Sequence, residues 1–140
     1  MLRLSIFQVG KTKEAALQEL IAEFYKRLGG RVKVEEKTFK DENALWAGLP
    51  KQAFVIALEV KGKMMDSDAF AQFMQKKLNQ GHSHLVFIIG PAEGFASHQV
   101  KPDALLSLSA MTFSHQTTRL FLAEQLYRAF SILEGKPFAK

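Results

Sequence analysis

The chain of 140 residues contains no cysteine. That excludes disulfides and thiolate metal sites and suits a reducing, cytoplasmic setting. It also lacks an apolar stretch long enough to span a bilayer, and residues 1–7 are too few for the apolar core of a signal peptide. No membrane association is expected. Without internal repeat, linker or low-complexity segment, residues 1–140 are expected to form a single domain with a real core. The three spaced glycines of dinucleotide sites are missing, as is the P-loop pattern ending in Gly-Lys-Ser/Thr. None of His82, His84, His98 and His115 has the spacing of a zinc ligand, so no metal is expected. No nucleophile–base–acid set is visible, which leaves a hydrolase without support.

What is present is a basic, periodically patterned chain. The formal net charge is +5 and the pI about 9.5, a balance that favours polyanionic partners. The lysines and arginines are scattered, so on charge alone a solvated surface is the simpler reading.

Residues 2–9 read as a first strand ended by Gly10. Residues 14–28 read as a helix, with Leu17, Leu20, Ile21, Phe24 and Leu28 on one buried face. Gly29-Gly30 stops it. Residues 32–39 alternate as a half-exposed edge strand. Residues 41–49 form a short helix capped by Asp41 and closed by Pro50, with Trp46 as a packing residue. Residues 54–60 are a buried strand, and Lys61-Gly62-Lys63 reads as a turn. A helix capped by Asp66 or Ser67 then carries Phe70, Phe73, Met74 and Leu78 and ends near Gly81. Residues 85–89 are apolar throughout, the mark of a central parallel strand. Strands alternating with helices predict an α/β domain with a mostly parallel sheet.

The last fifty residues concentrate the chemistry. A glycine loop from Gly90 to Gly94 follows the central strand. A second short strand begins near Leu105, and a small-residue and hydroxyl loop runs to Ser114. A long helix spans about residues 117–135, with His115 at its opening and Ser114 or Thr112 as its cap. Two loops at neighbouring strand ends suit a small ligand, because glycine permits close approach to the backbone. His115 reads either as a general base or as a capping and packing residue. The last helix is apolar on nearly every side, so more than one face must be covered; a partner subunit across a two-fold axis is expected. Its polar exceptions are Arg119, Glu124, Gln125 and Arg128, of which Glu124 and Arg128 stand at pairing distance along the helix. Structural and substrate roles stay open for both arginines.

Several stretches resemble a known family. They are Ile88-Ile89-Gly90 with Gly94, residues 107–116 with Arg119, residues 124–130, and Leu58-Glu59-Val60-Lys61-Gly62-Lys63 followed by Ser67 and Phe70-Ala71. Together they are similar to the 23S rRNA pseudouridine N3-methyltransferases, the ribosomal large subunit methyltransferase H family of the SPOUT superfamily. The resemblance spans essentially the whole chain. It implies an α/β knot: a mostly parallel sheet, helices on both faces and a deep C-terminal trefoil knot. It implies a homodimer acting on a pseudouridine of 23S rRNA in the large subunit or assembled ribosome. It implies S-adenosylmethionine held by Leu58, Gly90, Gly94, Ser109, Ala110, Met111, Thr112, Phe113 and Ser114. Arg128, His115 and Arg119 would be the catalytic, RNA-facing residues, and no metal is required. The chemistry implied is direct methyl transfer to N3, with alignment of the reactants supplying much of the barrier reduction.

Three features depart from the family pattern. Pro91 replaces a second glycine in the first loop, Glu59 replaces an aspartate, and the tail reads Pro137-Phe138-Ala139-Lys140 where the family carries Pro-Tyr-His and a basic residue. A dimer that binds RNA or the ribosome without turnover is the alternative these departures raise. A flavodoxin-like nucleotide module is the third.

Overall fold

The computed structural model describes residues 2–91, 94–95 and 102–136, apart from the side chain of Arg31. Five strands make one sheet: β1 (Leu2–Val9), β2 (Val32–Phe39), β3 (Phe54–Met64), β4 (His84–Ile89) and β5 (Ala104–Ser107). Their spatial order is β2-β1-β4-β3-β5 and every pairing is parallel. The apolar run of residues 85–89 lies at the centre, as its two-sided hydrophobicity predicts; Leu85, Val86, Phe87 and Ile88 are fully buried. β2 is an edge strand whose alternating exposure matches its alternating sequence.

Helices α1 (Ala15–Arg27), α3 (Ser67–Asn79) and α4 (His115–Leu133) cover one face, and the short α2 (Glu42–Ala47) covers the other. The larger core joins Leu4, Ile6, Phe87 and Ile89 of the sheet to Phe70 and Met74 of α3 and Leu122 and Leu126 of α4. Each such side chain contributes about 1.5–3 kcal/mol on burial. The smaller core joins Phe7, Val55, Val86 and Ile88 to Leu45 and Trp46. Trp46 is buried, and its indole N–H donates to Glu42 across 3.0 Å, so it is a packing residue as expected. Asp41 and Asp66 cap α2 and α3 by accepting from Ala44 N and Ala69 N.

Three sequence expectations change. The turn expected at Lys61-Gly62-Lys63 lies within β3, which continues to Met64 past a break in its register with β5. The last helix starts at His115 rather than near residue 117; Ser114, one of the two expected caps, accepts from Thr117 N and sets the first turn there. That helix is also covered more fully within its own chain than a single sheet face allows: α1 and α3 both pack along α4, and none of His115–Leu133 is fully exposed. Among the described residues, no helix is long and apolar enough to cross a membrane. His98, Ala92, Glu93 and the tail from Pro137 to Lys140 lie outside the described residues.

Candidate functional site

The carboxyl ends of β3, β4 and β5 converge on a cavity of about 330 Å³, within the range of small-ligand sites. Each wall has a local cause. After Ile89 the chain turns at Gly90, where an added Cβ would meet the ring of Phe95 at 2.9 Å. Gly94 then takes a left-handed φ of 84°, and its N–H donates to the Pro91 carbonyl across 2.8 Å. Gly90, Pro91, Gly94 and Phe95 form this wall.

The second wall follows β5. Asp103 fastens the entry of β5 to β3: its N–H donates to Val55 O and its carboxylate accepts from Val55 N, both at 2.8 Å. Beyond β5 the hydroxyls wind the loop. Ser107 Oγ donates to Ser109 O across 2.8 Å, and Ser109 Oγ accepts from Met111 N across 3.0 Å. These bonds put Ser109, Met111, Thr112 and Phe113 on the cavity, with Met111 73% exposed at its rim. His115 and Thr118 close the wall from the first turn of α4. Phe113 is itself braced edge-on against Phe121 of that helix, with ring centroids 4.8 Å apart.

The third wall is the irregular part of β3. Leu58 and Lys63 both stand opposite Leu106, so residues 59–62 are extra on the β3 side. The backbones approach so closely there that a Cβ on Gly62 would lie 2.7 Å from the Leu105 carbonyl carbon and the Leu106 nitrogen. The insertion delivers Glu59, Val60 and Lys61, beside Leu58, to the cavity.

The cavity thus gathers Leu58, Gly90, Gly94, Ser109, Met111, Thr112, Phe113 and His115 of the expected site. Ala110 and Ser114 belong to the same loop but not to the wall, and Ser114 is engaged in capping α4. The two arginines lie elsewhere. Arg119 is completely buried: Nη1 donates to Thr12 Oγ1 at 2.8 Å, and Nη2 to Val9 O and Gly10 O at 2.9 Å. Burial pushes its pKa down, while the nearby Glu36 carboxylate acts the other way. Its place is structural, beneath α4, rather than facing outward to an RNA. Arg128 holds Glu124 at 2.8 Å on α4 and does not line the cavity.

Sequence reasoning missed Glu59, Val60, Lys61, Phe95 and Thr118 as wall residues. Gly62 was the available signal for the first three, since a glycine inside a strand marks a bulge or a close backbone approach.

The donor set suits S-adenosylmethionine. Bent loops with small residues present backbone polar groups, Leu58 and Met111 supply apolar wall, and the volume is adequate. Among the described residues, no group of three or more His, Asp or Glu could hold a metal ion.

Comparison with known proteins finds relatives that match along essentially the whole chain. Residues 2–138 match a family model described as "Predicted SPOUT methyltransferase". A protein of Protochlamydia amoebophila named ribosomal RNA large subunit methyltransferase H is 41% identical over 140 residues, covering 100% of both chains. Proteins of the same name from Halothermothrix orenii and Carboxydothermus hydrogenoformans are each 38% identical, covering 99% of this chain and 100% of theirs.

Proposed function

Because the chain belongs to the SPOUT methyltransferase family, we propose that it is an rRNA methyltransferase that moves the methyl group of S-adenosylmethionine to N3 of a pseudouridine in 23S rRNA. It works as a homodimer on the large subunit or assembled ribosome. The observation that carries this reading is the convergence of the Gly90 loop, the loop of residues 108–113 and the β3 insertion on one cavity. Full-length relatives named ribosomal RNA large subunit methyltransferase H support the substrate class. The net charge of +5 suits a polyanionic substrate.

Leu58, Gly90, Ser109, Met111, Thr112 and Phe113 would hold the cofactor, and the chemistry supplied on binding is an electrophilic methyl group on a sulfonium. The protein's own work is orientation and shielding. The β4-β3-β5 part of the sheet carries both loops, so that the acceptor nitrogen would meet the methyl group in line. Phe95, Phe113 and Met111 exclude water from the approach. His115, half-buried in the wall at the start of α4, would hold or take the N3 proton. Phe113, Leu120, Phe121, Phe130 and Ile132 stay only half-buried in the single chain, which leaves apolar area for the second subunit.

The test combines calorimetry with methyl transfer from labelled S-adenosylmethionine to ribosomes lacking the modification. Binding followed by incorporation at one pseudouridine is the expected outcome. Binding without incorporation selects the RNA-binding alternative, and absence of binding removes the methyltransferase reading.

A further inference from the structure

We infer that the carboxylate of Glu59 is the counter-charge for the sulfonium of the bound cofactor, an assignment that rests on the S-adenosylmethionine reading above. Among the described residues that line the cavity, Glu59 supplies the only carboxylate. Its side chain is half-buried, yet it makes no hydrogen bond or ion pair with another described residue. A carboxylate withdrawn partly from water without a partner costs free energy. Among the described residues no ion pair offsets that cost, Lys61 on the same wall included, and a ligand cation would offset it.

The backbone around it is arranged to present it. Glu59 is the first residue after Leu58 in the β3 insertion, and the Gly62 contact with Leu105 and Leu106 holds that insertion against β5. Bulges of this kind re-aim side chains next to binding sites. In a regular strand Glu59 would continue the ladder opposite β5; in the insertion it borders the cavity. The other charged wall residues, Lys61 and the ionisable His115, are of the opposite type and cannot balance a cation. They suit the anionic carboxylate end of the ligand or the RNA.

The proposal separates two ligands that differ by one methyl group and one charge, S-adenosylmethionine and S-adenosylhomocysteine. Calorimetric titration of the full chain with both, and with neutral adenosine, tests it on wild type, Glu59→Gln and Glu59→Asp. In Glu59→Gln, affinity for S-adenosylmethionine is expected to fall about tenfold, the scale of one partly screened charge pair. Affinity for S-adenosylhomocysteine falls less than about threefold, adenosine is unaffected, and Glu59→Asp restores the preference. An unchanged ratio of the two affinities in Glu59→Gln, whether both fall or neither does, overturns the assignment. So does a parallel loss of adenosine binding, which signals a damaged pocket. If the wild-type protein binds neither sulfur ligand, it is the underlying cofactor reading that fails, a result distinct from a wild type that binds and a variant that discriminates as before.

Discussion

Arg119 Nη2 donates to the carbonyl oxygen of Gly10 across 2.9 Å, joining two residues 109 positions apart. The same guanidinium reaches Val9 O and Thr12 Oγ1, and Gln116 Oε1 one turn earlier accepts from Lys13 N at 2.9 Å. The first turn of α4, which brings His115 and Thr118 to the cavity, is thereby fastened to the loop that follows β1.

Replacing Arg119 by Met should therefore destabilise the protein. The two loop carbonyls lose a buried, charge-assisted donor, at a cost of about 3 kcal/mol. Equilibrium urea unfolding measures it; a loss below about 1 kcal/mol would contradict the clamp.

Gly62→Ala should cost more than Gly90→Ala. At Gly62 the new methyl meets backbone atoms of Leu105 and Leu106 at 2.7–2.8 Å, which cannot move without displacing β5. At Gly90 it meets only the ring of Phe95, a side chain that can rotate away. The expected difference is about 1–3 kcal/mol in unfolding free energy, with weaker S-adenosylmethionine binding in Gly62→Ala. Equal stability of the two variants would sink this account of the β3 insertion.

His84 predicts a pH dependence. Burial, and then the neighbouring Arg3, push its pKa below the usual 6.5, against a smaller opposing pull from Glu35. Its Nε2 lies 2.8 Å from Ser5 Oγ. A folded-state pKa below the unfolded one means that the neutral ring favours the fold. This contribution is present above the unfolded value of 6.5 and is lost as pH falls through the lower folded value. Stability should decline on acidification through that window, and less steeply in His84→Gln. An NMR titration placing the imidazole midpoint at or above 6.5 contradicts the sign.

Arg128→Ala should separate binding from transfer. Arg128 lies outside the cavity wall, so affinity for S-adenosylmethionine should stay within about twofold of wild type. Its ion pair with Glu124 is partly exposed and contributes only about 0.5 kcal/mol to the helix. Methyl transfer to ribosomes should fall at least about tenfold if its charge meets RNA phosphate. Equal losses in binding and transfer argue against an RNA-facing role.

Much of this protein was legible in its residues because the relevant signals are local. Alternation along Val32–Phe39 marks an edge strand, the unbroken apolar run before Gly90 marks a central one, and Asp41 and Asp66 announce helix starts. The family resemblance, carried by residues 107–116 and 124–130, indicated where the loops of a ligand site would be. The partners of Arg119 were not legible. The residues left its structural and substrate roles both open, because the carbonyls that surround it belong to residues 9 and 10.

The amino-acid order by itself determined the period of most elements and the caps that start α2 and α3, since these depend on neighbours a few positions apart. Only the tertiary structure decided that β5 lies beside β3, that four residues of β3 are left over where they meet, and that Glu59 stands at a cavity mouth as a result. The physical reason is that strand pairing and backbone clearance arise between segments some forty-five residues apart, whose register no local pattern encodes.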